Sequence, residues 1–413
     1  MKIGQILNTR IMMVLLLLPF LEPLGVEEMS IYLGGGWTII HRFFSILKLV
    51  SFVIMTILTI YQLKKPTIIF FFMLIFQVWT ILRTIMNGGF SFSRLITSLT
   101  SIGIALVLDY YIRNGNVKRI ISVIEIILMI IIIINLITIM VYPNGMYVND
   151  RMWRQNWLLG YRNLHIQYYL PYIFICAINQ YLKEEKLGLK FYMMLSIVII
   201  SVYFSKSTTS LISVGLIGIL VVLFGSSKVV KKINLTSIYI VSVVLSILII
   251  FMGIQNYFAE FLRDVLGKDV TLSSRTQIWA KGIKYFSQHP ILGNGIVSVN
   301  YSTAYRTYSV NQMHNMYFDI LVVGGIVLLA IYTVIIVLVS KQVRTCSNVI
   351  LKNVALFVFS GYAILFITEA RRDLAMFNMF MLLAYYLPTI VKQYNIDKCK
   401  TKKYRLVLRG KVK

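Results

Sequence analysis

The chain has 413 residues, of which 58% are apolar and 14% are charged, and its mean hydropathy is +0.78. Soluble globular proteins carry about 25% charged residues, and at most about half of their residues are apolar. The composition therefore excludes a soluble single-domain enzyme and a disordered or fibrous chain, and it predicts an all-α polytopic integral membrane protein. The formal net charge of +26 is assigned to cytoplasmic loops rather than to nucleic acid binding, because lysine and arginine retain such loops inside the cell.

Twelve apolar segments are long enough to cross a bilayer as helices, which takes about 20 residues each. Their approximate ranges are 6–24, 41–62, 67–86, 91–112, 119–141, 161–182, 190–205, 208–226, 234–254, 315–340, 350–368 and 374–391. The first is interrupted by Pro19 and Glu22, which do not form a small-residue cleavage site, so we predict an uncleaved span rather than a signal peptide.

Most of the 41 lysine and arginine residues fall on one side of the membrane if the amino terminus is cytoplasmic. Both termini are then cytoplasmic, which requires an even number of spans. The predicted organisation has spans 1 to 9 in residues 1–254 and a long external loop in 255–314. Spans 10 to 12 follow in residues 315–391, and a basic cytoplasmic tail occupies 392–413.

The external loops also carry cations, for which the positive-inside rule gives no reason. The ones that we select are Arg151, Arg154, Arg162, Lys206, Arg275, Arg371 and Arg372. Arginine and lysine side chains that converge at the outer membrane surface suit a phosphate-bearing, lipid-linked substrate. The alternative is that they contact lipid headgroups or pair with nearby acidic residues.

Residues 273–286 of the long loop predict an amphipathic helix, because apolar residues recur near helical spacing. Ser273 or Ser274 can serve as the N-cap, which places Arg275 in the first helical turn. Free backbone N–H groups and the helix dipole at that position favour a phosphate. The helix is predicted to stop at His289-Pro290.

His314 is the candidate catalytic base, because it lies at the predicted mouth of span ten and a neutral imidazole can accept a proton. Asp319 is predicted to orient the imidazole, directly or through water. Asn315 and Trp279 are expected to support the site, together with the arginines between the last two spans. The alternative is that His314 caps the span or forms hydrogen bonds in the membrane interface.

No P-loop, H-E-x-x-H or C-x-x-C motif is present, so the sequence predicts neither a nucleotide site nor a metal site. What remains is an ordered series of short motifs: Gly160-Tyr161-Arg162-Asn163, Ser205-Lys206-Ser207, Arg275-x-x-x-Trp279, His289-Pro290-x-x-Gly293-x-Gly295, and His314-Asn315-x-Tyr317 before Gly324-Gly325. Over about residues 155–330 this series resembles the O-antigen ligase and polysaccharide polymerase superfamily of bacterial envelopes. Lys206 stands where that superfamily usually has arginine, so the bidentate fork is lost there.

The resemblance implies a metal-independent glycosyltransferase of the bacterial plasma membrane that needs no cofactor. Its donor would be a glycan on undecaprenyl diphosphate at the external leaflet, and an acceptor sugar hydroxyl would displace the lipid diphosphate. Arg275 and Arg162 would hold the diphosphate, and His314 would act as the base or position the acceptor. Further cations expected near the diphosphate are Lys206, Arg154 and Arg151. The implied partners are the donor and acceptor oligosaccharides, the lipid bilayer, a flippase and chain-length regulator proteins.

The motifs do not separate a ligase, which transfers finished glycan to a lipid A core, from a polymerase of lipid-linked repeat units. The Ile- and Lys-rich, Ala-poor composition indicates an AT-rich, Gram-positive genome without lipid A, which favours a polymerase of capsule or exopolysaccharide. A transporter such as a flippase is the main alternative, because the intramembrane cations Lys48, Arg83 and Arg94 also fit a translocation path. A channel or a non-catalytic assembly partner is the third. The enzyme hypothesis requires that the outer ends of spans six, seven, ten and eleven meet.

Overall fold

The computed structural model describes residues 7–61, 66–89, 92–149, 154–252, 275–302, 307–370 and 374–396. Helices α1 to α6 span Arg10–Leu17, Leu24–Tyr32, Gly35–Tyr61, Ile68–Met86, Phe92–Arg113 and Val117–Val141. Helices α7 to α10 span Ile166–Glu184, Leu189–Phe204, Thr208–Phe224 and Leu235–Met252. Helices α11 to α15 span Arg275–Gln288, Met316–Thr345, Val349–Thr368, Ala375–Tyr385 and Leu387–Ile396. Short 3₁₀ turns occupy Leu18–Leu21 and Lys228–Lys232.

Seven of the described helices are long and apolar enough to cross a membrane, namely α3, α4, α5, α6, α10, α12 and α13. The pair α14 and α15, bent by 53°, makes an eighth candidate. These helices confirm an all-α polytopic membrane protein. The other predicted spans coincide with α7 and with three shorter apolar helices, the segment Arg10–Leu21, α8 and α9.

Helices α3 and α7 show why length and hydropathy alone do not identify every span. Ile39 and Ile57 on α3 are 71% and 60% exposed, as expected of a helix that faces lipid. Helix α7 is enclosed by other helices along almost its whole length, including its polar side chains Asn179 and Gln180. A helix surrounded by protein needs no apolar surface for lipid, so α7 can carry amides and tyrosines that lower its hydropathy.

A break in α12 receives the turn that follows α11. Gly325, inside α12, has φ +67° and interrupts the helix. The backbone N–H groups of Asn294 and Gly295 donate to the carbonyls of Val322 and Val323, each at 2.8 Å. A Cβ on Gly293 would lie 2.4 Å from the backbone nitrogen of the residue before the break. The two glycine motifs of the sequence therefore allow two backbones to meet without side chains between them.

Two small antiparallel sheets lie outside the helices, and the sequence analysis did not predict them. The first pairs Tyr147–Asn149, Arg154–Trp157 and Gly160–Tyr161, and the second pairs Val299–Ser302 with Thr307–Val310. Their strands are two to four residues long, too short for an alternating pattern to appear in the sequence. The first sheet ends directly before the turn that leads into α7.

The predicted loop helix is present as α11, and it ends at Gln288, directly before His289-Pro290. Ile278, Trp279 and Gly282 form its buried face, which packs against α12 in a separate apolar cluster. The predicted N-cap serines at 273 and 274 lie outside the described residues.

Candidate active site

A buried carboxylate, Glu369, lies at the point where several separate segments meet. Its side chain is 6% exposed. Asn163 Nδ2 and Arg275 Nη2 donate to Oε1 of Glu369 at 3.0 and 3.2 Å, and His314 Nδ1 lies 3.5 Å from its Oε2. The turn before α7, the start of α11, the loop before α12 and the C-terminal end of α13 therefore converge on one carboxylate.

The imidazole of His314 faces Glu369 through one ring nitrogen. At 3.5 Å the contact has an ion-pair distance and is too long for a well-formed hydrogen bond. Nδ1 is buried without a hydrogen-bond partner among the described residues. A movement of a few tenths of an ångström would let Nδ1–H donate to the carboxylate, and Nε2 would then hold the lone pair that can accept a proton.

The backbone around His314 is held in a conformation that most residues avoid. His314 has φ +49°, which costs a residue with a Cβ about 1–2 kcal/mol. The preceding residue, Met313, is fixed on both sides: its N–H donates to Asp319 Oδ1 at 2.9 Å, and its carbonyl accepts from Trp279 Nε1 at 2.8 Å. Trp279 and Asp319 thus position the loop that carries the histidine.

Asn315 holds the other side of the same loop. Its side-chain oxygen accepts from the Phe318 N–H at 3.0 Å and caps α12. Its amide nitrogen donates to Ser246 Oγ at 2.8 Å and to the Ile367 carbonyl at 3.0 Å. The helix cap is therefore Asn315 and not His314, which leaves the imidazole available for another role.

The tight turn between α8 and α9 reaches the same site. Ser207 Oγ donates to Asn163 Oδ1 at 2.9 Å, so the amide that contacts Glu369 is itself held by this turn. Lys206 has φ +56°, and its side chain is exposed. The ends of spans six, seven, ten and eleven that are predicted to be external meet near Asn163 and Glu369, as the hypothesis requires.

Of the remaining predicted cations, the structure describes the side chain of Arg162, whereas the side chains of the other four arginines lie outside its described part. Arg162 lies next to Asn163, donates from Nε to the Tyr161 hydroxyl at 3.2 Å and stacks over the same ring at 5.6 Å. Arg154 begins the second strand of the first sheet, and its side chain is outside the described part of the chain. The predicted cations Arg151, Arg371 and Arg372 also lie outside the described residues.

The sequence analysis names Asp319 as the carboxylate that orients His314, whereas the structure places Glu369 beside the imidazole. Asp319 was expected to orient the imidazole, and in the structure its Oδ1 accepts from the backbone N–H of Met313. The carboxylate beside Nδ1 belongs to Glu369, which is distant in sequence and is not among the predicted site residues. Its position two residues before Arg371, in the loop between the last two spans, is the one signal that could have indicated it.

His165 lies near this site but has a structural role. It is fully buried, its Nε2 is 3.0 Å from the Gly160 carbonyl and its Nδ1 is 3.4 Å from Asn135 Nδ2. Burial lowers the pKa of His165 to about 4, so the ring is neutral at physiological pH. Nε2–H is then the donor and Nδ1 the acceptor, which fixes the turn ahead of α7.

The intramembrane cations that a transporter could use all have local partners. Arg83 donates from Nε and Nη2 to the Gly293 carbonyl at 3.3 and 2.6 Å, and Arg94 donates to the Gly89 carbonyl. Lys48 Nζ lies 2.6 Å from Glu22 Oε2. Arg83 thereby attaches α4 to the turn that is docked into α12.

Residues 193–333 match the family model described as O-antigen ligase. A search of curated proteins and a search of solved structures found no match to the chain. The matched stretch runs from α8 into α12 and includes Lys206, Arg275 and His314. It confirms the resemblance to the O-antigen ligase and polymerase superfamily, and it indicates a multi-pass membrane enzyme of that type.

Proposed function

We propose that this chain, in which residues 193–333 match the O-antigen ligase family, is a membrane-embedded glycosyltransferase that polymerises oligosaccharide repeat units carried on undecaprenyl diphosphate. The product would be a capsular, extracellular or O-antigen polysaccharide, made at the external face of the plasma membrane with both termini cytoplasmic. The observation that carries the proposal is the convergence of Arg275 and His314 on Glu369. A cation and a proton acceptor are the two groups that this transfer requires.

In the proposed reaction, the acceptor hydroxyl oxygen forms a bond to the anomeric carbon as the bond from that carbon to the diphosphate oxygen breaks. His314 Nε2 takes the hydroxyl proton, and Glu369 stabilises the resulting imidazolium. The negative charge that develops on the leaving diphosphate is met by Arg275. Only Nη2 of its guanidinium is engaged by Glu369, so the other N–H donors can bind the diphosphate. One in-line displacement inverts the anomeric configuration.

Arg162 is proposed as the second cation for the diphosphate, because it neighbours the Asn163 that contacts Glu369. Lys206, Arg154, Arg151, Arg371 and Arg372 are proposed as further or supporting cations. Lys206 is exposed on a turn that contacts Asn163 through Ser207, so its charge is near the site, although a lysine offers no bidentate contact. The reaction is proposed to need no metal ion, and a flippase and a chain-length regulator are proposed as partners.

The direct test uses the purified protein in nanodiscs with the undecaprenyl-diphosphate-linked repeat unit extracted from the source cells. A ladder of products on a gel is expected from the wild type, and it is expected to disappear in Arg275→Ala and His314→Ala. Lys281→Ala on the same helix and His289→Ala in the turn behind it are the matched controls, because both side chains are exposed. A ladder that persists in His314→Ala would remove the proposed base.

Two other outcomes identify the alternatives. A single transfer to an added lipid A core acceptor, without a ladder, would make the enzyme a ligase. If labelled lipid moves between the leaflets of a liposome and no new glycosidic bond forms, the glycosyltransferase hypothesis fails and the flippase hypothesis is favoured.

A further inference from the structure

A polar cavity lies near the candidate active site, between α2, α3, α5, α7 and α14. It encloses about 220 Å³. Its charged lining groups are Glu22, Glu27, His41 and Lys48. Glu22 is 5% exposed on its side chain, and its two oxygens lie 2.9 Å from His41 Nδ1 and 2.6 Å from Lys48 Nζ. A charged network thus forms one wall of this cavity.

The opposite wall carries an amide that forms no hydrogen bond with any described residue. Gln167, in the first turn of α7, is 7% exposed and lines the cavity. Its side chain has no hydrogen-bond partner within the described ranges, and the same is true of the Ser45 hydroxyl on α3, which also lines the cavity. Because buried polar side chains are nearly always hydrogen-bonded, an unpartnered amide at a cavity wall points to a bound polar molecule.

The charge of the lining limits what that molecule can be. Two carboxylates, one ammonium group and one imidazole line the cavity, so it has no excess of positive charge. A diphosphate would find no net attraction there. A neutral ligand rich in hydroxyl groups would instead donate to the carboxylates and bond to the Gln167 amide. The apolar side chains of Phe92 and Tyr168, also in the lining, can contact the C–H face of such a ligand.

The cavity is also close to the proposed reaction centre. Gln167 follows Asn163, whose amide contacts Glu369, by four residues, which sets an upper limit of about 14 Å between the two Cα atoms. We propose that this cavity binds a neutral sugar ring of the acceptor oligosaccharide, while the cations near Glu369 bind the diphosphate of the donor. This inference rests on the proposed glycosyltransferase function.

The test uses variants of Gln167 and Ser45, two lining residues whose side chains have no hydrogen-bond partners among the described residues. Glu22 is not substituted, because it holds an ion-pair network whose loss could unfold the protein. Gln167→Leu is expected to raise KM for the lipid-linked repeat unit about tenfold, which corresponds to about one hydrogen bond, with kcat and Tm unchanged. Ser45→Phe, which fills the cavity, is expected to raise KM further. Gln180→Leu is the matched control, because Gln180 is a buried glutamine on the same helix, 13 residues away and outside the cavity.

A binding measurement separates this inference from the proposed function. The probes are the free oligosaccharide released from the lipid by mild acid and undecaprenyl phosphate alone, each followed by saturation-transfer NMR. We expect Gln167→Leu and Ser45→Phe to weaken the oligosaccharide signal and leave the undecaprenyl phosphate signal unchanged.

If the wild type forms a ladder and both variants keep the wild-type KM and oligosaccharide signal, the cavity proposal fails alone. Weakened binding of undecaprenyl phosphate, with the sugar unaffected, would also overturn it. If no ladder forms from the wild type, the proposed function fails. Loss of the oligosaccharide signal in the variants would still support a sugar site in that case.

Discussion

Glu369→Gln is the substitution that tests the site most directly, because glutamine keeps the shape of the side chain and removes its charge. In the wild type, Oε1 accepts from Asn163 and Arg275 and Oε2 faces Nδ1 of His314. The glutamine oxygen can retain the two donors to Oε1. The amide NH₂ then faces Nδ1, which must become an acceptor, so the ring proton moves to Nε2.

The expected magnitude follows from that change of tautomer. A histidine protonated on Nε2 has no lone pair there to accept the proton of the acceptor hydroxyl. In a serine protease triad, the corresponding Asp→Asn change lowers kcat by about 10⁴-fold. The His314–Glu369 contact is longer, at 3.5 Å, so we expect a loss between about 10²- and 10⁴-fold in kcat. KM is expected to change little, because the guanidinium of Arg275 remains in place.

The assay is the rate of ladder formation under single-substrate conditions, with Tm measured on the same preparation. The matched control is Glu125→Gln. Glu125 is also buried and also accepts from an asparagine amide and a cation, Asn179 and Lys190. It lies near the C-terminal end of α7, whereas Glu369 contacts Asn163 ahead of the N-terminal end of that helix. Glu369→Gln keeps its two donors but loses the negative charge, and Glu125→Gln loses one of two bonds, since Asn179 and Lys190 donate to different oxygens. We expect each variant to lose up to about 1.5–3 kcal/mol of stability.

The reasoning is refuted if Glu369→Gln keeps kcat within threefold of the wild type while the protein remains folded. Equal losses of kcat in Glu369→Gln and Glu125→Gln would also refute it, because the effect would then come from stability alone.

Three further changes test the structural supports. Gly325→Ala places a Cβ 2.1 Å from a backbone carbonyl, at a residue with φ +67°. We therefore expect Tm to fall by the equivalent of at least about 1–2 kcal/mol. The control is Gly215→Ala on α9, where a Cβ meets no atom within 4 Å, and it should be neutral or stabilising in the same thermal melts. Arg83→Lys keeps the charge but cannot donate two hydrogen bonds to the Gly293 carbonyl, as the guanidinium does. We expect lower Tm and activity, and unchanged values of both would show that these hydrogen bonds are dispensable. Because the pKa of His165 is about 4 in the fold and about 6.5 in the unfolded chain, only the unfolded state binds that proton between these values, and stability should fall by about 1.4 kcal/mol per unit as pH drops from about 6.5 to 4. His165→Gln cannot titrate, so its Tm should decline less over the same range, and an identical decline in both proteins would contradict the assignment.

The spans could be predicted from the sequence because each contains a long apolar run, and every predicted span coincides with a described helix. What could not be predicted is which helices face lipid and which are enclosed. Helix α7 is enclosed on all sides, and its polar residues make it look less like a span than α3 does. Periodicity records the faces of one helix, and enclosure depends on all of its neighbours.

The motif residues of the site were found because their chemistry is local. His314, Asn315 and Asp319 lie within six positions, and the structure uses all three in one loop. The partner of the histidine was not found, because a single Glu369 after an apolar helix has no distinguishing pattern of its own. Asn163 belongs to one of the quoted motifs, but its contact with Glu369 could not be predicted, because the two positions are 206 residues apart.

The placement of the charges gives the strongest reason to regard the two polar regions as one functional unit. An isolated buried carboxylate is costly in a membrane protein, yet two lie near the ends of α7 and α14: Glu369 with Arg275, and Glu22 with Lys48. Beside each carboxylate lie polar groups without a hydrogen-bond partner among the described residues: the remaining N–H groups of Arg275 near Glu369, and the Gln167 amide in the cavity that Glu22 lines. A transfer between a diphosphate-linked sugar and a sugar hydroxyl requires one cationic site and one neutral, hydroxyl-binding site in contact. A channel or a structural scaffold would need neither the asymmetry of charge nor the unpaired amide.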